Sequence, residues 1–248
     1  FFLFYKIMRL FLNRILSRIY LLTLILTYTL WAFFASPLNE GFQVTFFLLT
    51  FIFLQKTLHW ELNGKQYFIL FLLLLIGFLF RMQTIILPFS LIVFYVFERR
   101  LKETLVIVFI LTAVVLAADA IDSFFVKDFS SINELREHGW SQLTRVIGSP
   151  IQTFLIDLPT KAIGATILGT TYFAKNSNFF YDALTLVLSF FVAFGSVRLF
   201  FLRKRYRLLV GCIFGSILFL LVSPVIINRY LVVSLPFLWI LLHRTIYP

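Results

Sequence analysis

The stretch LVSPVIINRYLVVSLPFLW, residues 221–239, decides how the chain is read. It is almost wholly apolar, yet it carries Asn228, Arg229 and Tyr230 at its middle. An arginine held in hydrocarbon costs a few kcal/mol or more. Either Arg229 sits where the chain leaves a membrane, or it faces a polar cavity.

The rest of the chain agrees with a bilayer as its solvent. Of the 248 residues 61% are hydrophobic and 13% charged, and 34 are phenylalanine. A soluble domain carries about a quarter charged residues. The expected fold class is therefore all-α: a polytopic integral membrane bundle, one transmembrane domain over residues 1–248. The apolar runs 19–36, 42–55, 67–80, 83–97, 105–118, 182–198, 208–227 and 231–242 give about eight transmembrane helices. Several fall short of the roughly 20 residues that a straight span needs.

Charge sets the expected orientation. Alternating the runs from a cytoplasmic start puts 1–18, 56–66, 98–104, 199–207 and 243–248 inside. With Arg198 at its boundary, that side holds 15 of the 22 basic residues, anchored by ERRLKE (98–103) and RKRYR (203–207). Cytoplasmic loops are enriched in Lys and Arg. The net charge of +11 is spread between apolar runs rather than along one stripe, which argues against nucleic acid as a partner. Residues 119–181 become one external loop. Within it 149–174 reads as interfacial or re-entrant helices broken at Pro159, since a ninth span would bury Asp157 and Lys161 at mid-membrane.

In this arrangement Arg81, between spans three and four, and Arg229, between spans seven and eight, reach the same outer boundary. Glu40 lies at the outer turn of spans one and two, and Asp119 and Asp122 sit three apart on one helical face as span five exits. Charged turn residues are common at any membrane surface. These turns, however, are too short to lift an arginine far into water, which favours a polar cavity. Two guanidinium forks suit a phosphate or pyrophosphate. A nearby carboxylate could act as general base toward a sugar hydroxyl, or hold a divalent cation. No cofactor motif occurs: phosphate-loop, zinc-protease and dinucleotide glycine patterns are all absent. Gly211 and Gly215, in GCIFG, have the spacing of a close helix contact, and Cys212 stands alone.

ASPLNEGFQVTFFLLTFIFL (35–54), ILFLLLLIGFLFRMQTIILPFSLIVFYVFERR (69–100) and the late SPVIINRYLVVSLPFLWILL (223–242) resemble stretches of polytopic bacterial oligosaccharide-repeat polymerases and GT-C-class glycosyltransferases. The resemblance spans about residues 30–245, through short, degenerate motifs. It implies a bacterial inner-membrane enzyme that transfers or polymerises sugars from a polyprenyl-phosphate or -pyrophosphate carrier at the external face. Its partners would be the polyprenyl-linked sugar and membrane lipid. Arg81 and Arg229, with Tyr230, would contact the carrier phosphate, and Glu40 would be an acid near the acceptor. GT-C enzymes place the catalytic acid in their first external loop, so an N-terminal part of the same chain, upstream of Phe1, is expected to complete the machinery. A transporter or flippase of an anionic lipid-linked solute, and a non-catalytic membrane scaffold, are the alternatives.

Overall fold

The computed structural model describes residues 2–26, 40–57, 62–80, 82–125, 147–150, 153, 158, 163, 167, 179–222 and 234–247. These fold as helices: α1 (Phe2–Phe11), α2 (Arg14–Leu26), α3 (Glu40–Thr57), α4 (Gly64–Phe80), α5 (Ile86–Phe97), α6 (Leu101–Phe125), α7 (Phe179–Leu202), α8 (Arg207–Val222) and α9 (Leu235–Ile246). Short 3₁₀ turns, Met82–Ile85 and Lys204–Tyr206, lead into α5 and α8. The all-α expectation stands for the described residues.

Local chemistry sets several helix ends. Asn63 and Gln66 form a reciprocal capping box before α4, each side-chain oxygen accepting the other's backbone N–H at 2.9 Å. Asn13 caps α2 by accepting the Leu16 N–H at 2.9 Å. α5 ends in a Schellman motif: the Arg100 N–H donates to Tyr95 O at 2.8 Å and the Arg99 N–H to Val96 O at 3.0 Å. Arg99 takes the left-handed position of that motif, with φ 57°.

Small residues let the central helices touch. A Cβ at Gly211 would stand 3.2 Å from Ser90 Cβ, and one at Gly215 would stand 3.0 Å from Ile86 Cγ2. The GxxxG pair therefore does form a packing face, and it faces α5. Gly195 serves the α7–α9 contact in the same way, since a Cβ there would collide with the Thr245 hydroxyl at 1.8 Å. An aromatic cluster fills the space between α1, α3, α8 and α9. Phe51 and Phe237 have centroids 4.4 Å apart, and Phe11 packs on Tyr206 at 5.2 Å.

The expected count of eight spans is not met by helix length. Among the described residues two helices are long and apolar enough to cross a membrane, Leu101–Ile121 and Phe180–Leu202. The other apolar helices are shorter, and two of them, Ile86–Phe97 and Leu235–Ile246, have only 12 residues, too few for a straight crossing. The long pair also turns large apolar side chains outward. Leu105, Phe109 and Leu116 on α6, and Phe180, Phe190, Phe194, Val197 and Phe201 on α7, are all exposed. The helix that holds the fifth expected span, α6, runs further than 105–118: it starts at Leu101 and continues through Asp119 and Asp122 to Phe125.

In the stretch 149–174, residues 153, 158 and 163 are in wide helical turns and 167 is α-helical. Thr153 is buried, and Leu158, Ile163 and Ile167 belong to the common core. Ile163 reaches between α5, α7 and α8, where it helps line an apolar cleft of about 360 Å³ with Val93, Val192, Gly211 and Ile213.

Candidate functional site

The helices run alternately, so their ends sort into two groups. At one end lie the α1–α2 junction, the C-terminus of α3, the α5–α6 turn, the α7–α8 turn and the C-terminus of α9. Contacts tie these together. Gln55 Nε2 donates to Arg205 O at 3.2 Å, the Arg205 guanidinium lies 5.5 Å from the Phe11 ring, and Arg244 donates to Phe11 O at 2.6 Å. This is the group of segments that the charge pattern assigns to the cytoplasm.

Glu98 organises that end. Its carboxylate accepts from Arg207 through one oxygen and from Lys204 Nζ, at 3.0 Å, through the other. It thereby clasps the α5–α6 turn to the α7–α8 turn. Arg207 is further fixed by donating from Nε to Phe200 O at 3.0 Å. Beside the clasp, Arg100 lies 5.0 Å over the Tyr95 ring and pairs with Glu103, whose Oε1 accepts from Nε at 2.8 Å. His243, in the 243–248 segment of the same end, is buried, with Nδ1 2.9 Å from the Tyr20 hydroxyl. Burial, and then the charge of Arg244, lower the His243 pKa, which favours the neutral ring.

At the opposite end are the start of α3, the end of α4, the start of α5, the late part of α6, the end of α8 and the start of α9. The expected site residues relate to this rim as follows. Glu40 is the first residue of α3, and Asp119 and Asp122 lie in the last turns of α6; Asp119 is half-buried. Arg81 falls outside the described residues, between Phe80 and Met82, and so do Arg229 and Tyr230, between Val222 and Ser234. By helix order, the ends that carry or flank all six positions lie away from the paired end; of the six side chains, that of Asp119 alone is described.

Two polar features near this rim escape sequence reasoning. The Thr84 hydroxyl is buried with no partner, packed where a Cβ on Gly77 would meet Thr84 Cγ2 at 2.8 Å. Ser216 of α8 and Ser234, just before α9, share a buried hydrogen bond of 2.6 Å. Isolated Ser and Thr residues in apolar runs give no sequence signal, because helices absorb them by bonding to the preceding turn. Among the described residues no three His, Cys, Asp or Glu side chains gather as a metal site. No family model matches the chain, and no curated protein or solved structure is significantly similar to it.

Proposed function

We propose that the chain is the bundle of a polytopic inner-membrane protein that handles a polyprenyl-phosphate- or pyrophosphate-linked sugar at its external rim, as a glycosyltransferase or polysaccharide polymerase. One observation carries this reading: the two-ended sorting of the helices. The arginine-rich turns are tied together at one end, and the order of the helices would carry the ends beside Arg81, Arg229, Glu40, Asp119 and Asp122 to the other. The outward phenylalanine faces of α6 and α7 support the membrane part of the reading. A soluble protein seldom exposes so much contiguous apolar surface, whereas lipid solvates it. The shorter apolar helices complete the eight crossings by thinning the bilayer locally or leaning on neighbours.

In this mechanism Arg81 and Arg229 hold the carrier phosphate in a low-dielectric cleft and stabilise the charge that develops as it leaves. Tyr230 donates to the same phosphate. Glu40, Asp119 or Asp122 takes the proton of the attacking sugar hydroxyl.

The test is polymer formation in membranes carrying Arg81→Ala or Arg229→Ala. Loss of one such charge-assisted contact removes roughly 10²–10³ of rate, while membrane insertion stays normal. Wild-type polymer levels in both variants would refute the assignment. Movement of labelled carrier across the bilayer without new glycosidic bonds would give the same residues to a transporter.

A further inference from the structure

The basic end contains a cleft that the Glu98 clasp leaves alone. It has a volume of about 50 Å³ and is lined by Arg198 and Leu199 of α7, Leu202, Arg203 and, from α9, Arg244. Three arginines thus surround one small space, and among the described residues no carboxylate lines it. The described acids at this end are engaged elsewhere, Glu98 with Lys204 and Arg207 and Glu103 with Arg100. Arg244 is anchored by its bond to Phe11 O, yet its Nε is buried without a hydrogen-bond partner. Arg198 and Arg203 are exposed, so both side chains are free to turn toward the cleft.

Like charges brought together raise the free energy of the fold unless an anion offsets them. We propose that this cleft binds a phosphate group. Three guanidinium groups offer more donors than a carboxylate has acceptors, and a tetrahedral phosphate can take several forked contacts at once. The cleft opens beside the outward apolar face of α7, where Phe194, Val197, Phe201 and Leu202 are exposed. A lipid whose phosphate sits on the arginines can therefore lay its acyl chains along that face. The same chemistry also accepts free phosphate. The site lies at the end opposite the rim whose helix ends flank Arg81 and Arg229, so it stands whether or not the carrier chemistry does.

The experiment uses the whole chain purified into nanodiscs of phosphatidylcholine, with or without phosphatidylglycerol. Native mass spectrometry counts the lipid retained. In parallel, thermal unfolding is followed in inorganic phosphate against chloride at matched ionic strength. The variant is Arg198→Gln/Arg203→Gln, whose exposed side chains leave the core intact, and Lys102→Gln on α6 is the control for general charge. We expect the wild type and the control to retain phosphatidylglycerol over phosphatidylcholine by roughly tenfold, and the double variant to lose that preference. Stabilisation by inorganic phosphate without lipid preference, abolished in the double variant, would keep the site and make free phosphate its ligand. Equal behaviour of wild type and double variant in both measurements would overturn the proposal.

Discussion

The α5–α8 contact and the outer faces of α6 and α7 are built from similar amino acids to opposite ends. Between α5 and α8, Gly211 and Gly215 bring the backbones together against Ser90 and Ile86. On α7, Phe190 and Phe194 stack on one another with centroids 6.4 Å apart and point away from the bundle. Apolar side chains gain little from one another when the surroundings are themselves apolar, so close packing holds the inner helices and lipid accepts the outer ones. The helices long enough to cross alone turn large apolar side chains outward, as α4 does with Phe68, Ile69 and Leu79, whereas α5, α8 and α9 supply much of the buried core.

Enlarging a glycine at the inner contact should have the largest effect. Gly211→Leu forces a side chain into space already held by Ser90, and overpacking of this kind costs about 1–3 kcal/mol. Phe194→Ala, on the outer face, should change stability by less than about 0.5 kcal/mol. Both are read by reversible unfolding in mixed detergent micelles. A Phe194→Ala cost equal to that of Gly211→Leu would erase the contrast and mean that another surface covers α7.

The contrast also explains how much of the molecule is legible in its amino acids alone. Helix positions are legible because apolar runs alternate with ERRLKE and RKRYR, whose charges end helices at the same side. The number of crossings is not, because a 12-residue apolar run looks the same whether it meets lipid or other helices. The expected span 105–118 is shorter than the helix that holds it, because the apolar run ends at Ala118 while the helix continues through Asp119 and Asp122 to Phe125. Of the candidate site, only Glu40, Asp119 and Asp122 fall within described helices. The tie made by Glu98 escapes sequence reasoning because its partner Arg207 is 109 residues away, a distance that local patterning does not bridge.

Glu98 gives the next test, now comparing the paired end with the bundle interior. Its side chain and that of Arg207 are only 15% and 16% exposed. Glu98→Gln leaves the Arg207 cation without its counter-charge, at a cost of roughly 2 kcal/mol, because a partly buried charge keeps much of its desolvation penalty. Glu103→Gln, on a pair within one helix start, should cost less than about 1 kcal/mol. Equal losses would mean that the clasp between the two turns contributes no more than a local contact.

Acidification probes the same end through His243. Its folded-state pKa is lowered, so the unfolded chain binds the proton first, and stability rises with pH across that window. The contribution is fully present above about 6.5, the ordinary value for histidine, and declines as pH falls through it toward the folded value. Protonation would also set a second cation beside Arg244 and make Nδ1 a donor to the Tyr20 hydroxyl, whichever tautomer the neutral ring holds. Unfolding measured between pH 5 and 8 should show this slope in the wild type and a shallower one in His243→Gln. An unchanged slope in the variant would assign the pH dependence to another group.

The smallest effect should run toward greater stability. Arg99 holds φ 57°, a conformation that costs an L-residue about 1 kcal/mol and glycine almost nothing. Its neighbours make the useful contacts of this turn: Glu98 clasps Lys204 and Arg207, and Arg100 covers Tyr95. Arg99→Gly should therefore gain about 0.5 kcal/mol, the relief of strain being partly offset by the greater freedom of glycine in the unfolded chain. The same substitution at Arg100 should instead lose stability, since φ is not strained there and the Glu103 pair and ring contact vanish together. A loss at Arg99 as large as that at Arg100 would show that the Arg99 side chain makes a contact worth more than its backbone strain. The turn would then belong with the paired charges of this end rather than with the helix-ending geometry alone.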